Sequence, residues 1–298
     1  MVNRRVFGKL AASAAVALTS GTGWLKGQTP SGNASSGQGL KDSQFSVMIW
    51  TLNKRGTFEE NLEHVAQAGY HHVQLVGEFE KWSDADWTRM LGKMRELKIS
   101  VDSTTGVRQG FADPAGGDAF IAEVKAVLPV LKRLDCKQLL LVSGKRVDGA
   151  ADGAQHQACI DNLKRAVPIL NEAGVMAVIE PIDRLENPPI YLDGVTEAFE
   201  ITRAVGSPHV KVLYDLYHEQ RTHGNLIEKL EKNIDEVGLV HIADVPGRHE
   251  PGTGEIDYGN IYKKLVELKY TANIAMEFYP TGDVVETLRR AREEAMRA

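Results

Sequence analysis

The chain is poor in cysteine: Cys136 and Cys159 are the only two among 298 residues. Two thiols allow at most one disulfide, which excludes a disulfide-built scaffold and a cysteine-based metal cluster. Both fall in segments that read as a strand approach and a helix, so two buried or half-buried thiols are expected. No apolar run approaches the roughly 20 residues of a membrane span. An excess of basic residues is also missing, since the net charge is -5. The only unbalanced basic stretch is residues 1–28, with Arg4, Arg5, Lys9 and Lys26 and no acid. Without it the charge is about -9, which argues against a surface built for a phosphate backbone.

That first stretch has its own logic. Asn3-Arg4-Arg5-Val6-Phe7-Gly8-Lys9 resembles a twin-arginine export signal, and a modestly apolar run follows over residues 10–18. The expectation is a signal segment over 1–29, a Gly/Ser/Gln-rich linker over 30–44, and one domain over 45–298. The mature protein would then be periplasmic or otherwise exported, with no stable membrane span. If 1–29 is merely a basic N-terminus, the protein is cytoplasmic.

After residue 44, short β-rich runs alternate with amphipathic helical stretches. The strands read as 46–50, 72–77, 100–104, 138–143, 175–180, 210–215, 238–243 and 273–278. They are dense in Val, Ile, Leu and Met with little strict alternation, as expected of strands buried on both faces. Helices read as 58–68, 84–97, 119–134, 158–173, 195–205, 226–234, 262–268 and 284–296. Gly69, Gly174 and Gly206 follow three of them as stop signals. Eight strand–helix repeats predict an α/β fold, a (β/α)8 TIM barrel. An open doubly wound sheet would usually show a Gly-rich phosphate loop after an early strand. Here the first strand runs into Thr51-Leu52-Asn53-Lys54-Arg55-Gly56, which is no such loop.

Chemistry gathers at the ends of the last four strands. The fifth ends Val178-Ile179-Glu180-Pro181, the sixth Leu213-Tyr214-Asp215, the seventh carries Val240-His241-Ile242, and the eighth ends Ala275-Met276-Glu277. In a closed barrel these ends are neighbours around one mouth. Singly, each acid reads as a helix N-cap and His241 as a core histidine. Together, three carboxylates in one pocket would repel unless a cation neutralised them. Glu180, Asp215, His241 and Glu277 are therefore candidate metal ligands. Oxygen donors with one imidazole suit Mn2+ or Mg2+, with Co2+ or Zn2+ as alternatives. Around them, His218, Arg248 and Glu186 are candidate substrate contacts, as are Glu78 and Arg108 on earlier loops. Trp50 and Phe111 are candidates for an apolar wall. The pair His71-His72 opens the second strand, at the far end of the barrel, and reads as structural.

Several stretches resemble the hydroxypyruvate isomerase family of the xylose-isomerase-like barrels. They are Glu180-Pro181-Ile182, Asp215-Leu216-Tyr217-His218, Val245-Pro246-Gly247-Arg248-His249-Glu250-Pro251 with Gly254-Glu255-Ile256, and Glu277-Phe278-Tyr279-Pro280. The resemblance implies an acid/base pair at Glu180 and Glu277 and metal ligands at 180, 215, 241 and 277. It implies a small keto-acid or sugar substrate and conversion of hydroxypyruvate to tartronate semialdehyde through an enediolate. A homo-oligomer is compatible with it. One position departs: hydroxypyruvate isomerases often carry Gln where this chain has His241, as sugar epimerases do. A sugar 3-epimerase, an inosose isomerase and a keto-sugar dehydratase or lyase therefore stay open. An abasic-site endonuclease would need more histidines and a basic face, and a non-catalytic sugar-binding protein would not need two opposed glutamates.

Overall fold

The computed structural model describes residues 39–151 and 153–298. The signal-like segment and most of the proposed linker lie outside these residues. The end of that linker already touches the barrel. Leu40 is buried in the core, and Gln44 Nε2 donates to the carbonyls of Tyr270 (3.2 Å) and Ala272 (3.0 Å).

Eight strands form one closed parallel barrel. They are β1 (Phe45–Met48), β2 (His72–Leu75), β3 (Ser100–Thr104), β4 (Gln138–Val142), β5 (Met176–Glu180), β6 (Val210–Asp215), β7 (Val237–Ile242) and β8 (Asn273–Met276). Each pairs with the next, and β8 closes onto β1. The helices are α1 (Phe58–Gln67), α2 (Asp84–Leu97), α3 (Gly117–Leu134), α4 (Ala154–Ala173), α5 (Val195–Val205), α6 (Leu216–Thr222), α7 (Leu226–Asn233), α8 (Tyr258–Glu267) and α9 (Val284–Met296). Gly174 and Gly206 end α4 and α5 at φ +62° and +69°, where a side chain would be strained.

Local chemistry moved several expected boundaries. The expected first strand stops at Met48, and Ile49–Leu52 turns as a 3-10 helix, so Trp50 stands on the rim. Helix α3 starts at Gly117 and α4 at Ala154, earlier than read from periodicity. Helix α8 starts at Tyr258 because Asp257 accepts from the Asn260 amide and caps it. Helix α6 was not expected. Asp215 Oδ1 accepts from the amides of Tyr217 (2.7 Å) and His218 (3.1 Å), so the strand-end acid caps a helix that starts one residue later.

Two apolar cores result. The larger fills the shell between barrel and helices, and the smaller plugs the barrel interior with Met48, Leu140, Val178, Leu213 and Leu239. Side chains on one face of a strand recur every two residues. Two positions beyond the plug, toward the strand C-termini, stand Trp50, Val142, Glu180, Asp215 and His241. Two ladder irregularities adjust this layer. Val73 pairs with Val101 but Gln74 with Ser103, leaving Asp102 as an extra residue in β3. Val212 pairs with Val237 but Leu213 with Leu239, leaving Gly238 extra in β7. A Cβ at Gly238 would lie 2.7 Å from that of Lys211, so glycine is required there.

Candidate active site and metal centre

The layer above the plug brings together Glu180, Asp215, His241 and Glu277. All four are buried, and one donor atom from each lies within 4.8 Å of the others. His241 Nδ1 is 2.6 Å from Glu277 Oε2 and 3.9 Å from Asp215 Oδ2. On its other side, Nε2–H donates to Gln74 Oε1 at 2.8 Å. In the metal-free site the 2.6 Å contact makes Nδ1–H a donor to Glu277 Oε2; once that proton leaves, the ring, still held through Nε2–H by Gln74, turns its Nδ1 lone pair toward the three carboxylates. A lone pair and three acids facing one point fit a divalent cation, in the manner of a histidine ligand held by an outer acceptor. The group fits a divalent metal site.

Electrostatics within the cluster are uneven. Burial pushes the Glu180 carboxyl up to about 7, and the Glu277 charge adds to this. Burial also opposes ionisation of Glu277, but Arg248 and His241 outweigh it and hold that carboxyl well below the usual range. Arg248 Nη2 lies 2.8 Å from Glu277 Oε1, and Nη1 lies 2.5 Å from Glu186 Oε1. Burial alone would lower the pKa of His241, yet Glu277 beside it raises it.

His218, on the first turn of α6, projects into the same space. Its Nδ1–H donates to Asp183 Oδ2 at 2.7 Å, and Nε2 is 3.6 Å from Asp215 Oδ2 and 3.9 Å from Glu180 Oε1. Burial works against its charge, but Asp215 and Asp183 raise it to about 9, so it is cationic at neutral pH. Asp183 is itself fixed, accepting from the amides of Leu185 (2.9 Å) and Glu186 (3.0 Å) and from Arg221 (3.1 Å).

A cavity of about 530 Å³ opens above the four ligands and is lined by Trp50, Arg108, Glu180, Glu186, His218, Arg248 and Glu277, among others. Trp50 donates its indole N–H to Glu277 Oε1 at 3.3 Å. Arg108 sits at the rim, paired with Glu80 and mostly exposed. Glu78 turns back on its own loop, accepting from the Val76 amide at 2.5 Å, and does not line the cavity. Phe111 is no wall of the mouth: it is fully buried against Phe120 in the outer core. His72 stays at the opposite end, its Nδ1 2.8 Å from Ser100 Oγ. Cys136 and Cys159 are buried and unlinked.

Three positioning residues escaped the sequence reading. Gln74 and Asp183 touch the site only through other side chains. Asp244 is buried and accepts from four amides, those of Val245 (2.9 Å), Gly252 (3.0 Å), Gly254 (2.8 Å) and Ile256 (3.0 Å). It thereby folds the loop that carries Arg248. The one signal available was the glycine-spaced loop directly after Asp244.

A model of the xylose isomerase-like TIM barrel family matches residues 62–297. Hydroxypyruvate isomerase of Escherichia coli (strain K12) is 27% identical over 252 residues, covering 83% of this chain and 97% of that protein. The 2-oxo-tetronate isomerase of Haemophilus influenzae is 27% identical over 251 residues, covering 82% and 96%. A crystal structure described as AP endonuclease, family 2, from Brucella melitensis superposes with a TM-score of 0.76 at 25% identity, over 83% of this chain and 96% of that one.

Proposed function

The chain belongs to the xylose isomerase-like TIM barrel family and is an isomerase of it; we propose that it moves a proton between adjacent carbons of an α-hydroxycarbonyl compound, using Glu180 and Glu277 as its acid/base pair. The conversion of hydroxypyruvate to tartronate semialdehyde, after the E. coli relative, is the simplest example of this chemistry. The carrying observation is the convergence of Glu180 and Glu277 with Asp215 and His241 at the floor of one cavity.

Glu180, Asp215, His241 and Glu277 would hold Mn2+ or Mg2+, the cations suited to three carboxylates and one imidazole. Such a cation supplies Lewis acidity, stabilising negative charge that develops on the substrate oxygens. The remaining steps belong to the chain. One glutamate takes the proton from the hydroxyl-bearing carbon, and the other returns a proton to the neighbouring carbonyl carbon. The two substrate oxygens exchange one proton between them, so atoms balance and no electrons leave. His218, cationic and anchored by Asp183, donates toward the substrate oxygens. Arg248 keeps Glu277 ionised and positions it. The twin-arginine-like residues 3–9 support export of the protein.

A second reading has one observation behind it. His241 stands where sugar epimerases carry histidine, and return of the proton to the opposite face of the same carbon would give epimerisation. The nuclease description of the Brucella relative finds less support. The ligand cluster contains a single histidine, and the chain is acidic.

The test uses the full chain stripped with chelator and reloaded with Mn2+, Mg2+, Co2+ or Zn2+. Hydroxypyruvate, ketoses and keto-inositols are offered in D2O. Deuterium should enter the carbon next to the carbonyl, and Glu180→Gln or Glu277→Gln should abolish this. Absence of metal binding, or full turnover by either variant, would overturn the proposal.

A further inference from the structure

The layer above the plug is chemically divided. Over β5–β8 it is charged: Glu180, Asp215, His241 and Glu277, with His218, Arg248 and Glu186 beside them. Over β1–β4 the cavity wall is Met48, Trp50, Val76, Val107, Leu140 and Val142. Polar groups on that side are confined to Thr105 and to Arg108, the latter held by Glu80. A polyol chain lying there would leave hydroxyls against hydrocarbon without partners, which costs on the order of 1–3 kcal/mol for each.

A second observation points the same way. The large hydrophobic residues exposed among those described are Val76 (43%), Val147 (40%) and Leu185 (74%). All three stand on loops that follow strand C-termini, after β2, β4 and β5, around the same mouth. The adjoining cavity, which shares Arg108, Val142 and Asn187 with the first, is largely polar: besides Val147 and Ile190 it is lined by Gln109, Asp113, Ser143 and Lys145, so the apolar wall belongs to the first cavity. Of the three exposed residues, Val76 carries the apolar wall of the first cavity out to its rim. The cavity, at about 530 Å³, is also far roomier than a three-carbon keto acid, which fills on the order of four water volumes.

Resting on the proposed proton-transfer reading, we infer that the substrate is larger than hydroxypyruvate and carries an apolar substituent. The hydroxycarbonyl head meets Glu180 and Glu277, and the substituent lies against Met48, Val76, Val107, Leu140 and Val142. Its class is an α-hydroxycarbonyl compound bearing a hydrocarbon group.

Straight-chain hydroxamates test this, because their two adjacent oxygens imitate the hydroxycarbonyl head. The full chain loaded with Mn2+ is titrated with acetohydroxamate, butyrohydroxamate, hexanohydroxamate and octanohydroxamate in a calorimeter. Kd should fall about two- to fourfold per methylene, hence tenfold or more from the two-carbon to the six-carbon compound. Val76→Asp combined with the near-isosteric Val107→Thr should erase most of that gain and keep the acetohydroxamate affinity. Equal affinity along the series would overturn the inference and leave the proton-transfer reading standing. If Val76→Asp or Leu185→Asp instead dissociates a dimer, with no dependence on chain length, the apolar rim is an interface between copies. Failure of acetohydroxamate itself to bind would sink the underlying reading, and the inference with it.

Discussion

Gln74 Oε1 lies 2.8 Å from Nε2 of His241, joining a β2 side chain to a β7 side chain across the barrel interior. This contact fixes Nε2 as a protonated nitrogen, so Nδ1, which meets Glu277 Oε2 at 2.6 Å, is the nitrogen that can lose its proton to a cation. Gln74→Leu keeps the volume but removes the acceptor. Mn2+ affinity, measured by calorimetry, should fall roughly 10- to 100-fold, with the circular dichroism spectrum unchanged. An unaltered Kd would show that the ring is held by its other neighbours.

Metal affinity should depend on pH through Glu180. Its carboxyl stands at about 7 in the metal-free site, so below that pH a proton must leave before a cation can bind. The apparent affinity should therefore drop about tenfold per pH unit between 7 and 5 from Glu180, and more steeply because His241, whose pKa is also raised, must give up its own proton. Stability of the metal-free protein follows the opposite course. A carboxyl raised above its unfolded value stabilises least when ionised, so its contribution is lost as pH rises from about 4.5 to about 7. Glu180→Gln should raise the metal-free Tm at pH 8 and abolish the further rise that Mn2+ produces in the parent.

Arg248 is buried with its guanidinium against Glu277 and Glu186. Arg248→Ala leaves a buried carboxylate without its cation, a loss of about 3–5 kcal/mol when one partner of such a pair is removed. Thermal denaturation should show that deficit in the metal-free protein and a smaller one with Mn2+ present, because the cation neutralises Glu277 in its place. An equal deficit in both states would mean that Arg248 acts through packing alone.

Asp244 gathers four amide donors onto one carboxylate. Asp244→Asn turns one acceptor into a donor and leaves two buried N–H groups facing it. The expected loss is about 2–4 kcal/mol, from two unsatisfied donors at 1–3 kcal/mol each with some relaxation. Urea denaturation measures it. The loosened loop should also displace Arg248, lowering kcat more than it raises KM, since Arg248 works on Glu277.

Much of the site could be read from the chain because strand geometry repeats every two residues. Glu180, Asp215, His241 and Glu277 each end an apolar run, and eight such runs in series close into one ring. Their C-terminal ends must then meet, whatever the details of packing. Period alone could not place Gln74 or Asp183, since neither ends a strand and each works through a histidine from another element. Helix α6 was hidden for a related reason. Its cap is Asp215, a residue already assigned to the site, and one carboxylate serves both purposes.

By itself the sequence determined the barrel, its order and the four converging donors, because burial periodicity and strand-end chemistry are local properties. Only the tertiary structure decided how those donors are held: the Gln74–His241 contact, the Asp183–His218 pair and the Arg248 loop folded on Asp244. It also decided that the mouth is charged over one half and apolar over the other. These features depend on which side chains meet once the chain is folded: Asp183 and His218 face each other from adjacent strand ends, and Gln74 reaches His241, 167 residues away, only across the closed ring.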